Sequence, residues 1–80
     1  MNIHFANQDN IPVEVRPDVV EALSRNRDRL SWDPQDLHFL FAVYNRYVAP
    51  MGEPEDMNCS GCRTKVIGKL RMFANRWTSN

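Results

Sequence analysis

The stretch 32–48, Trp-Asp-Pro-Gln-Asp-Leu-His-Phe-Leu-Phe-Ala-Val-Tyr-Asn-Arg-Tyr-Val, constrains the fold more than any other part of this chain. It carries a complete helix start. Asp33 is an N-cap type, with a carboxylate that accepts from the free backbone N–H groups of the first turn. Pro34 follows at the first helical position, where its missing N–H costs nothing. Asp36, three residues after the cap, supplies the acidic member of a capping box, and Trp32 with Leu37 is spaced for a hydrophobic staple. Placed at about 100° per residue, the apolar side chains from Leu37 to Val48 span an arc of roughly 200°, about twice what a surface helix needs. The helix is therefore expected to be covered on two sides. An intramolecular core is the plain reading, and an intersubunit surface along Phe39 and Val43 is the sharper one.

Two further helices are expected around it. Residues 17–30 open with Pro17 and Asp18, Glu21 stands where a capping box needs it, and Val19, Val20, Leu23 and Leu30 make a sparse apolar stripe. Residues 58–77 place Cys59, Cys62, Val66, Leu70, Phe73 and Trp77 at alternating spacings of three and four, which is one stripe of a helix. Gly68 interrupts that helix at a cost of about 1 kcal/mol relative to Ala, and close approach of another backbone would explain it. Ahead of the helices, Ile3 and Phe5, then Ile11, Val13 and Val15, alternate with polar residues on either side of the turn-forming run 7–10. Pro12 limits this arm to an edge strand. The chain should thus be a single, mainly α domain: an extended arm over 1–17 and a three-helix body over 18–80.

Composition narrows the function. The 42% hydrophobic content suits a globular domain, and no apolar run approaches the roughly 20 residues of a membrane span. The N-terminal residues have no basic region followed by an apolar stretch, so a secretory signal is not expected. Two cysteines in one Cys-x-x-Cys unit do not make a secreted disulfide framework. The cytoplasm of the producing cell is the expected compartment. The net charge is zero but unevenly placed. Residues 1–62 hold ten acids against five arginines, whereas Arg63, Lys65, Lys69, Arg71 and Arg76 meet no acid after position 62. An acidic body with a basic last helix suits head-to-tail association, internal pairing or contact with a phosphate backbone. For the last of these, Phe73 and Trp77 would be the stacking groups.

Cys59-Ser60-Gly61-Cys62 is the motif with chemical content. Its spacing supplies half of a tetrahedral zinc site, for which His4, His38 or Asp56, or the same pair from a second copy, would have to complete the ligands. A Cys-x-x-Cys at a helix start is also a redox arrangement, although the βαβ setting of thioredoxin-like folds is missing. Plain packing of two small thiols, with Cys62 in the core stripe, is the third reading. No nucleophile–base set, spaced carboxylate pair or Gly-rich phosphate loop is present, so no enzyme, small-molecule substrate or resident cofactor is expected, zinc apart.

Tyr44-Asn45-Arg46-Tyr47, a proline-containing loop, and then Cys59-Ser60-Gly61-Cys62-Arg63 followed by Lys65-Val66 and Lys69-Leu70 resembles small proteins encoded by tailed bacteriophages. The resemblance covers about residues 36–73. It implies an accessory or virion component that docks on other copies or on other virion proteins, with no catalytic residues. On that basis Ile3, Phe5, Val13, Val15, Phe39 and Val43 are the candidate partner contacts. The alternative is a small zinc- or nucleic-acid-binding regulator built on Cys59, Cys62 and the basic helix.

Overall fold

A computed structural model describes residues 9–27, 32–50 and 54–78. It is mainly helical, with three α-helices and no strand among the described residues: α1 (Arg16–Arg25), α2 (Pro34–Val43) and α3 (Ser60–Thr78). Ile3, His4 and Phe5, with the rest of residues 1–8 of the expected arm, lie outside the described residues.

The Asp33 cap and the Pro34 start expected of α2 are present, whereas the Asp33 N–H that a capping box would give to Asp36 goes to Asn26 Oδ1. The Asp33 carboxylate accepts from the backbone N–H groups of Gln35 at 2.8 Å and Asp36 at 3.3 Å. Leu37, Leu40, Phe41 and Val43 are buried, and the helix packs on both α1 and α3. The broad apolar arc is thus covered from within the chain. Val43 is only 4% exposed, which corrects its assignment to an intersubunit edge, whereas Phe39 packs against the core but stays half-buried. The arc was simply wide enough to serve two neighbouring helices. After Val43 the helix widens into a π-helical turn over Tyr44–Val48. The Ala49 N–H donates across five residues to the Tyr44 carbonyl at 3.0 Å, and Tyr44 and Val48 are both buried.

α1 differs from its expectation at both ends. Residues 12–16 do not extend as a strand. The N–H groups of Val15 and Arg16 donate to the Pro12 carbonyl at 2.9 and 3.3 Å, turning the chain directly into the helix. Asp18 therefore sits in the first turn rather than at the cap, and Val15 precedes the helix without a side-chain cap. Of the alternating residues, Ile11 enters the core, Val15 packs against it, and Val13 is 71% exposed. At the other end the helix stops at Arg25. Asn26 is buried and its amide donates to the Ala22 carbonyl at 2.8 Å, competing with the backbone for that acceptor.

The α1–α2 corner is closed by a polar lock. Arg25 donates to Asp36 through Nε at 3.1 Å and Nη2 at 2.6 Å. Asn26 donates to the same carboxylate at 2.8 Å and accepts from the Asp33 N–H at 2.9 Å. Asp36 is thus mostly buried and paired, beyond the helix-start role expected of it. The fork-shaped carboxylate contact raises the proton affinity of the Arg25 guanidinium above its already high value.

α3 buries Val66, Leu70, Phe73 and Ala74, with Cys62, Ile67 and Trp77 at the margin. Gly68 is exposed, and a Cβ built on it would meet nothing within 4 Å. Among the described residues no backbone approaches it, so none of them supplies the close neighbour expected for this glycine.

Candidate functional site

Two regions bring chemically distinctive groups together. The first is the start of α3. Cys59 immediately precedes the helix and is exposed, and Cys62, one turn on, is half-buried. The Cys62 N–H donates to Cys59 Sγ at 3.3 Å, so the sulfur occupies the place of an N-cap acceptor. The Asp56 carbonyl accepts from the Cys59 N–H at 3.1 Å, and the Asp56 carboxylate from the Asn58 N–H at 2.9 Å. The connection before the motif is therefore folded tightly against it.

The thiols are not equivalent. Hydrogen bonds from the Cys62 thiol and from its backbone N–H lower the pKa of Cys59 from its ordinary value. Donation to Cys59 raises that of Cys62. Glu55 lies on the other side of Cys62, and Lys65 Nζ donates to its carboxylate at 3.1 Å. The Cys62 thiol first and Lys65 second hold that carboxylate below the usual range. Glu55 is itself fixed by Asn45 of the π turn. Asn45 Oδ1 accepts from the Glu55 N–H at 3.0 Å, and Nδ2 reaches the Glu55 carbonyl at 3.5 Å. Neither Glu55 nor Asn45 stood out in the sequence. Asn45 lies on the polar strip of the central helix, and its pairing with the connection depends on how the chain folds back on that helix.

Among the described residues, no three His, Cys, Asp or Glu side chains come together as metal donors. His38 lines a shallow cleft with Glu55 and Asp56 instead. Zinc on Cys59 and Cys62 would therefore need ligands from beyond the described residues, such as a second copy.

The second region is the outer surface of α1 and α3. Val13, Pro17, Val20 and Trp77 line an open groove, rimmed by Arg16, Asp18 and Glu21. Arg16 lies over the Trp77 ring at 5.0 Å, and the Trp77 indole N–H donates to Asp9 at 2.6 Å. On α3, spacings of four, three and four put Lys65, Lys69, Met72 and Arg76 on one stripe. Met72 is 40% exposed there.

The five cations do not form one patch. Lys65, Lys69 and Arg76 share that stripe, while Arg63 and Arg71 fall on the other flank. Arg63 donates to the Met57 carbonyl at 2.6 Å, and Arg71 lies over Trp32 at 5.7 Å. Phe73 is buried, which removes it as a stacking platform for bases, and Trp77 is already engaged by Arg16 and Asp9. Of the candidate partner contacts, Val13 alone is strongly exposed among the described residues. No helix is long and apolar enough to cross a membrane among the described residues.

No family model matches the chain, and no curated protein or solved structure is found to be similar to it.

Proposed function

We propose that the chain is a non-enzymatic assembly subunit whose principal partner is a second copy of itself, docked head to tail. This is the structural or accessory role that the phage resemblance implies, and in that setting companion virion proteins would present equivalent surfaces. The observation that carries the reading is a pair of complementary outer surfaces. One is an apolar groove around Val13, Pro17 and Val20 with Asp18 and Glu21 on its rim. The other is Met72 flanked by Lys69 and Arg76 on α3, an apolar knob set among cations. Inserting Met72 of one copy into the groove of the next buries apolar area on both sides and sets cations against acids, which gives register and attraction together. Groove and knob are distinct surfaces, so a contact made once between each pair of copies is heterologous and generates a ring or an open filament.

Sedimentation at high micromolar concentration should show assembly that weakens with salt. Val13→Asp and Met72→Glu should each yield monomers with unchanged helical circular dichroism. Mixed together, the two variants retain one good groove and one good knob between them and should form a heterodimer that grows no further. A parent protein that stays monomeric at low salt, or a mixture of the variants that fails to pair, would refute the reading. Salt-sensitive retention on DNA, lost when Lys65, Lys69 and Arg76 are neutralised and unaccompanied by assembly, would assign the basic stripe to phosphate instead.

A further inference from the structure

We propose that Cys59 and Cys62 form a thiol–disulfide exchange site, in which Cys59 takes the first attack and Cys62 closes an intramolecular disulfide. The placement of the sulfurs supports this. Cys59 Sγ lies over the first turn of α3, 3.3 Å from the Cys62 backbone nitrogen, and a Cβ on Gly61 would sit 3.9 Å from it. The Cys59 sulfur is therefore already held beside the residue it is to join. Access then sets the order. Cys59 is exposed, whereas Cys62 is half-buried. An incoming disulfide meets Cys59 first, and the mixed disulfide so formed faces Cys62.

The co-reactant is a small-molecule disulfide, R–S–S–R. Cys59 Sγ, as thiolate, attacks one sulfur, the S–S bond breaks, and one R–S⁻ leaves and takes up a proton. Cys62 gives its proton to solvent water, and its sulfur attacks Cys59 Sγ. The second R–S⁻ leaves and takes up a proton from water. The pair loses two electrons and two protons, the small disulfide gains them as two thiols, and the reverse sequence restores the dithiol.

The test uses the full chain, oxidised glutathione as the probe, and alkylation followed by mass spectrometry. The parent should end as an intramolecular disulfide that reduced glutathione reopens. Cys62→Ser should stop at a stable glutathione adduct on Cys59. Cys59→Ser should form its adduct on Cys62 at least about ten-fold more slowly than Cys62→Ser forms its own. Helical circular dichroism of both variants checks that they remain folded; if either does not, iodoacetamide labelling of the parent should still modify Cys59 first. An endpoint carrying adducts on both cysteines, or labelling that favours Cys62, would overturn the assignment. So would zinc bound by the parent as purified that protects both thiols and pairs two chains, because the motif would then be a metal clasp.

Discussion

The lock between α1 and α2 can be tested through one side chain. Asn26 is 2% exposed and makes three hydrogen bonds of 2.8, 2.8 and 2.9 Å, to the Ala22 carbonyl, the Asp36 carboxylate and the Asp33 N–H. Each such bond contributes a net of about 1 kcal/mol, and removing one partner leaves the other short of a bond in a buried place. Partial recovery through water at the neighbouring, less enclosed groups brings Asn26→Ala to an expected loss of about 2–3 kcal/mol. A chain of this size has a total of only about 4–12 kcal/mol. Urea unfolding followed by far-ultraviolet circular dichroism measures the loss directly, and the thermal midpoint should fall by roughly 10–20 °C. A loss under about 0.5 kcal/mol, the range of an ordinary surface change, would refute the claim that this corner is held by the lock. Asn26→Asp sharpens the test, because it sets a second carboxylate against Asp36. Like charges raise the proton affinity of the pair above the unfolded carboxyl value of about 3.9. The protonated variant is then stable at low pH, and stability is lost as pH rises through the raised folded value. At neutral pH this variant should be weaker than Asn26→Ala, and it should recover towards pH of about 4.

Gly68→Ala should raise stability by about 0.5–1 kcal/mol in the same urea assay, since the site is an open helix face; a decrease would mean that this face is covered. Phe73→Ala should cost about 3–5 kcal/mol, comparable to the lower end of the chain's total stability, and strongly lower the calorimetric unfolding temperature. The Cys62 thiol and Lys65 hold the Glu55 carboxyl below its usual value. Its contribution is thus present above the unfolded value and lost as pH falls through the lower folded one. Glu55→Gln should flatten the dependence of melting temperature on pH between about 5 and 3, and an unchanged acid limb would remove this role.

The helices were legible where sequence speaks through local chemistry. Asp33 followed by Pro34 fixes a helix start whatever surrounds it, and the spacing from Val66 to Trp77 fixes one face of α3. The lock at the α1–α2 corner was not legible. Asp36 serves equally well as a capping acid, and its pairing with Arg25 and Asn26 depends on how two helices meet. Val13 and Val15 misled for a related reason. Their alternation is the pattern of a strand, but a strand needs a neighbour to pair with, and the Pro12 carbonyl instead collects the next two useful N–H groups. Gly68 misled because a glycine in a helix is equally compatible with a close neighbour and with open solvent. At the thiol pair, the motif itself was plain. The inequality between its two sulfurs was not, since it comes from the way Cys59 Sγ folds back over the Cys62 N–H at the start of α3.

The π turn has a consequence for the length of the chain. An α-helix cannot lose a residue without rotating everything beyond the cut by about 100°, which between Leu37 and Val43 would swing Leu40 and Phe41 out of the interior. The Tyr44–Val48 turn, closed by the Ala49 N–H on the Tyr44 carbonyl, already holds the additional residue that such a loss would remove. Taking out the exposed Arg46 lets the turn tighten to ordinary α geometry while the capped start at Asp33 and all of α3 stay where they are. This segment is thus a spacer that absorbs a one-residue change in length. Versions of this chain one residue shorter or longer in the central helix should carry the difference there.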